Sequence, residues 1–172
     1  ARSVAQKSDW KLLIGQAMKV EGGAQLQLEQ WDIARENLTH SLALFRQESA
    51  VAFECTALTQ LIRLHLLQED EEEIITYSEN IWELLHSGKL DMTNAEPIKA
   101  WWVCFLAFRA TGDARAEVAL RTAAELFSSQ LAQIHDEAWR SDFTNQIPEH
   151  KQLTRVVNQL YPSFWASYRD DT

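Results

Sequence analysis

Apolar side chains recur at three- and four-residue intervals along most of this chain, and no stretch alternates in the way that marks a strand. The sharpest pattern runs from Trp101 to Phe127. Trp101, Phe105 and Phe108 share one face of a first helix, and Leu120, Ala123, Ala124 and Phe127 share one face of a second. Gly112-Asp113 separates them: glycine suits the left-handed residue that ends a helix, and Asp suits the N-cap that starts the next. The pattern predicts a helix, a tight turn and a helix.

The same periodicity predicts further helices on either side. Trp31, Ala34, Leu38, Leu42 and Phe45 form a stripe over Trp31 to Gln47. Phe53, Ala57, Leu58, Leu61, Ile62 and Leu66 predict a helix over Ser49 to Gln68. Four acids, Asp70 to Glu73, open the next one, which continues through Ile74, Tyr77, Ile81, Trp82, Leu84 and Leu85 to Ser87-Gly88. Acids at a helix N-terminus gain ~0.3–1 kcal/mol each from the macrodipole. That accounts for the run better than a metal site, because no loop of alternating oxygen ligands adjoins it. Upstream, Asp9 is placed to cap a helix whose apolar face is Trp10, Leu13, Ile14 and Ala17. That helix runs to about Glu29 across Gly22-Gly23, each of which costs ~1 kcal/mol relative to Ala. The pair marks either a close approach by a neighbouring helix or a break. Residues 88–96 predict a loop, with Asn94 as N-cap and Pro97 in the following first turn. Asp136 to Gln146 predicts a short helix. Pro148 starts another, through His150, Leu153, Val156, Val157 and Leu160, before a tail with Phe164, Trp165 and Tyr168.

The turns at Glu29-Gln30-Trp31, Glu69-Asp70 and Gly112-Asp113 lie roughly 40 residues apart, which predicts a repeat array. The expected organisation is one all-α domain over residues 1–172, with units at about 10–47, 49–87 and 94–134 and a C-terminal cap at 136–168. In the first unit Gly22, Trp31, Ala34, Leu38 and Ser41 stand at the offsets that characterise tetratricopeptide repeats, which the chain resembles. Trp101 and Phe108 match the helix A aromatics of the third unit, while Ala116, Leu120 and Ala123 fall one residue early. The second unit departs further, with Ile62 in place of a small residue and Ile74, Ser78 and Ile81 in helix B. The units also exceed the family's usual ~34 residues. The resemblance implies a right-handed superhelical solenoid, with Gly22 serving close helix packing. The runs Ala34 to Arg46 and Ile134 to Leu153 are similar to the C-terminal sensor repeats of large bacterial regulators that carry an ATP-binding module of the signal-transduction ATPase type. This similarity implies a non-catalytic, cytoplasmic module that receives a signal, as a segment of a longer protein; the start at Ala-Arg-Ser-Val fits that expectation.

Composition narrows the function classes. With 172 residues, 46% hydrophobic, the chain is large enough for a substantial core. A net charge of −9 repels phosphate backbones, so nucleic acid is not an expected partner. No run approaches the ~20 apolar residues of a membrane span. Cys55 and Cys104 sit in apolar helical context and read as buried free thiols. There is no phosphate loop, CxxC or HExxH, so no catalytic residue, cofactor or metal is expected. The pairs His65/Glu69 and Glu36/His40 have chelating spacing, but such pairs arise by chance among five histidines and twenty-five acids.

Projecting the repeat family's groove-facing positions gives Lys19, Arg63, Lys99, Trp102 and Arg109. Four of the five are basic, so the expected site is a concave basic groove with an aromatic shelf. Such a groove would take an acidic or phosphorylated protein segment, or another domain of the parent protein. Two alternatives stand beside it: a small-molecule inducer site gating an adjacent ATPase, and an oligomerisation module. The aromatic tail either caps the last helix pair or forms an exposed patch.

Overall fold

The structure is a computed structural model that describes residues 2–90 and 96–165, with side chains described from residue 9 onward. It is all-α: among the described residues there are eight helices and no strand. They are α1 (Arg2–Gln27), α2 (Trp31–Gln47), α3 (Val51–Gln68), α4 (Glu71–His86), α5 (Pro97–Ala110), α6 (Arg115–Ala132), α7 (Glu137–Asn145) and α8 (Pro148–Leu160). The chain divides into two compact units, Ala1–Glu96 and Pro97–Thr172. The N-cap expected at Asn94 lies outside the described residues.

In the first unit each helix packs on the next, α1 on α2, α2 on α3 and α3 on α4, and α1 also reaches α3. Helix α2 buries Ala34, Leu38, Ser41, Leu42 and Phe45, the expected stripe except that Trp31 is half-buried. Helix α3 has neighbours on several sides, and its buried residues, Cys55, Ala57, Leu58, Thr59, Leu61, Ile62, Leu64 and His65, leave little polar face. Helix α4 turns Ile74, Ser78 and Ile81 inward. Its N-cap is Asp70, whose carboxylate accepts the Glu73 N–H at 3.4 Å, so the acidic run sits at a helix N-terminus as the dipole favours.

Helix α1 runs unbroken through Gly22-Gly23, as its periodicity predicts. It departs from expectation in beginning at Arg2 instead of Trp10 and in the face it buries. Its buried positions are Gly15, Gly22 and Leu26, whereas Trp10, Leu13, Ile14 and Ala17 are exposed. The glycines cause this inversion. A Cβ on Gly22 would lie 2.8 Å from Leu38 Cγ, and one on Gly15 would lie 2.8 Å from Phe45 Cε1. The α1 backbone therefore rests directly on α2 side chains, and the large apolar residues of α1 are carried to the opposite side.

Four interhelical turns share one conformation. A left-handed residue, Glu29 (φ 60°), Ser49 (φ 54°), Glu69 (φ 55°) or Gly112 (φ 70°), follows the helix. The next residue then donates its N–H to a carbonyl five back: Gln30 to Gln25 at 3.0 Å, Ala50 to Phe45 at 2.9 Å, Asp70 to His65 at 3.0 Å, and Asp113 to Phe108 at 2.8 Å. One of the four carries glycine. The others hold an L-side chain in a region that costs about 1–2 kcal/mol.

In the second unit α5 packs on α6 and α8, α6 on α8, and α7 on α8. Helix α5 is apolar on nearly all sides and buried accordingly, from Pro97 and Ile98 through Phe108. Asp113 starts α6 by accepting the Arg115 N–H at 2.8 Å and the Arg115 guanidinium, which holds its carboxyl below the usual carboxylate value. Asp136 caps α7 by accepting the Trp139 N–H at 2.9 Å.

The turn geometry generates a stability prediction. Glu69 is exposed and left-handed, so Glu69→Gly should raise unfolding free energy by ~0.5–1 kcal/mol, while Glu69→Ala, which keeps a Cβ, should not. Urea denaturation of the two variants measures this. Equal effects from Gly and Ala would show that the turn carries no left-handed strain.

Candidate functional site

The five residues expected to form a groove fall on three helices. In the first unit Lys19 lies on α1 and Arg63 on α3, both half-buried. In the second unit Lys99, Trp102 and Arg109 lie along α5. Lys99 Nζ is 3.9 Å from Glu149 Oε1 at the start of α8. Arg109 is exposed, with its guanidinium carbon 5.9 Å from the centre of the Phe105 ring. Trp102 is 2% exposed and tilts against Phe105 with ring centroids 5.1 Å apart. The expected division, Trp101 for packing and Trp102 for a partner, does not fit this placement: both indoles are buried. Trp102 is buried although Lys99 and the exposed Arg109 share its side of α5, because its indole packs against Phe105.

The face of α1 turned away from α2 carries the apolar stripe read from the sequence. Trp10 is 65% exposed, Val20 66% and Leu28 68%, with Leu13, Ile14, Ala17 and Ala24 exposed along the same stripe. Asp9, Glu21 and Glu29 stand exposed within or beside it, and none of them forms an ion pair with a described residue. The stripe is thus an exposed apolar surface with an acidic rim. The two glycines were the sequence signal that could have located it, because they identify which side of α1 meets its neighbour.

Burial pushes the Cys55 thiol up to about 12, with Glu54 and Glu96 adding to the shift, so it stays protonated at neutral pH. Cys104 is a buried free thiol. His65 Nδ1 lies 3.2 Å from Asp70 Oδ2, and its ring stacks on Tyr77 at 5.4 Å. Its sequence neighbour Glu69 occupies the left-handed turn, and Glu36 and His40 are exposed on α2. Among the described residues no three His, Cys, Asp or Glu side chains group as metal ligands. No described helix is long and apolar enough to cross a membrane.

An aromatic cluster joins α6, α7, α8 and the tail. Phe127 stacks on Phe143 at 5.4 Å and meets His150 at 5.3 Å and Trp165 at 5.8 Å, both edge-on. His150 Nδ1 hydrogen-bonds the Phe143 carbonyl at 2.8 Å, tying α8 to the end of α7. Tyr161 and Phe164 line a small cavity with Leu120, Ala124 and Val157, so the tail through Trp165 covers this end of the unit. Tyr168, also expected there, lies outside the described residues.

A scan of protein-family models, a search of curated proteins and a search of solved structures each return no match.

His150 gives a pH prediction. Burial holds its pKa below the ordinary 6.5, so as pH falls the unfolded chain takes up the proton first. The stability contributed by neutral His150 is therefore present above the unfolded value and is lost as pH falls through 6.5 toward the folded one. Urea midpoints between about pH 7.5 and pH 5.5 should drop more steeply for the wild type than for His150→Gln. Parallel profiles would contradict the assignment.

Proposed function

We propose that this chain is a non-catalytic recognition module of the helical-repeat type, which docks a protein partner on the outer face of α1. The observation that carries this is the exposed stripe of Trp10, Leu13, Ile14, Val20 and Leu28, opposite the glycine seam. Burying side chains of this size stabilises a complex by ~1.5–3 kcal/mol each. The acids at its rim, in a chain of net charge −9, favour a partner helix whose apolar seam is flanked by Lys or Arg. The repeated helix–turn unit and the Gly22, Ala34, Leu38 and Ser41 series support a tetratricopeptide-like reading of the fold. Within that reading the chain serves as the sensor or scaffold segment of a bacterial signalling regulator. The basic set contributes less to it, because Trp102 is buried and Lys99 lies beside Glu149.

Two labelled helical peptides with the same leucine seam, one flanked by lysines and one by glutamates, test the docking face by fluorescence anisotropy. The lysine-flanked peptide should bind, and the glutamate-flanked one should not. Leu13→Glu with Ile14→Glu should weaken binding by at least about a hundredfold, while Lys19→Glu with Arg63→Glu should leave it intact. Binding of neither peptide, or of both equally, would overturn the proposal. Concentration-dependent dimerisation removed by the α1 variant would assign the stripe to a second copy of the chain instead.

A further inference from the structure

The second unit holds an open cleft of about 530 Å³ between α6, α7 and α8, within the ~300–1,000 Å³ common for small-molecule sites. Its two sides differ in chemistry. One is apolar, formed by Phe127, Leu131 and the Trp165 ring standing edge-on to Phe127 at 5.8 Å. The other carries polar groups from α7 and α8, among them Arg140 and Asn158.

Three of the polar groups have hydrogen-bonding capacity that the fold does not use. Ser128 also lines the cleft; it is 9% exposed, and its hydroxyl makes no hydrogen bond to a described residue. Thr144 and Thr154, which line the same cleft, behave differently and donate back to the Arg140 and His150 carbonyls at 2.9 and 3.0 Å. With no bond to a described residue, the Ser128 hydroxyl is available to the polar group of a ligand. The Asn158 amide also makes no hydrogen bond to a described residue. Arg140 reaches the Ile134 carbonyl at 3.3 Å through one nitrogen and pairs with no described carboxylate, in a chain that carries twenty-five acids. An unmatched guanidinium beside an aromatic wall is the arrangement that recognises a planar anion with an apolar body.

We propose that the cleft between α6, α7 and α8 binds a small aromatic carboxylate. The ring lies along Leu131 and Trp165, above the buried Phe127, the carboxylate takes the Arg140 fork, and a polar substituent takes the Ser128 hydroxyl. This site belongs to the second unit and is independent of the protein-docking face on α1.

Saturation-transfer NMR and calorimetry on the full chain test it with phenylacetate, indole-3-acetate and the neutral control phenylacetamide. The two acids should receive saturation at millimolar concentration and bind at least tenfold more tightly than the amide. Arg140 is on the surface, so Arg140→Gln should fold normally and should reduce the acids to the level of the amide. In ¹⁵N spectra the amides shifted by either acid should belong to α6, α7, α8 and the tail. Ser128→Ala should leave the preference for acid over amide in place, since that preference rests on Arg140. No saturation transfer to either acid would overturn the proposal. So would equal binding of acid and amide, an acid preference that survives Arg140→Gln, or shifts confined to other helices.

Discussion

The first unit depends on how closely α1 approaches α2. At Gly15 and Gly22 there is no room for a Cβ: it would stand 2.8 Å from Phe45 in one case and from Leu38 in the other. Glycine in a helix interior costs ~1 kcal/mol relative to Ala, and each of these positions returns that through backbone contact with a buried side chain of α2. The consequence reaches beyond the seam. Fixing Gly15, Gly22 and Leu26 inward fixes Trp10, Leu13, Ile14, Val20 and Leu28 outward, because a helix cannot turn both faces to the same neighbour. The packing constraint and the proposed docking surface are two sides of one helix.

A second constraint sets the path of the chain between helices. Four turns use a left-handed residue and a hydrogen bond to a carbonyl five residues back. Each brings the two helices it joins together as packed neighbours, α1 with α2, α2 with α3, α3 with α4 and α5 with α6, so that elements unable to bury their faces alone share a core. In the second unit the closing element is aromatic. Phe127 is surrounded by Phe143, His150 and Trp165, and the short helix α7, which buries no residue of its own, is held through that cluster and the Phe143 carbonyl. The cleft remains beside the cluster because α7 leans on α8 at the aromatic end without filling the space between Arg140 and α6.

Much of this was legible in the sequence. The all-α class, the stripe on α2, the acidic start of α4, the Gly112-Asp113 turn and the start of α8 at Pro148 all follow from periodicity and cap chemistry, which are local. What was not legible depended on partners. Periodicity marks Trp10, Leu13, Ile14 and Ala17 as one apolar face, but it does not identify which side of the helix meets a neighbour. Glycines have no weight in such a pattern, although they decided the outcome. Three turns lacked glycine, so Glu29, Ser49 and Glu69 gave no composition signal for a conformation that tertiary packing imposes on them. Trp102 was placed outward by analogy of position, whereas its indole is buried against Phe105. The cleft draws its lining from three helices and the tail, and no spacing along the chain anticipates it.

The glycine seam is tested most directly by comparing Gly22→Ala with Gly23→Ala. Both changes add the same methyl and the same helix propensity, ~1 kcal/mol in favour of the variant. At Gly22 the methyl meets Leu38 Cγ at 2.8 Å and the Ala34 carbonyl oxygen at 3.3 Å, while at Gly23 it meets the movable end of Gln60 at 3.0 Å. Equilibrium urea unfolding should find Gly23→Ala as stable as the wild type or more so, and Gly22→Ala less stable than Gly23→Ala by at least ~1 kcal/mol. Equal stabilisation by both substitutions would contradict the account, because it would mean that α1 does not rest on α2 through Gly22.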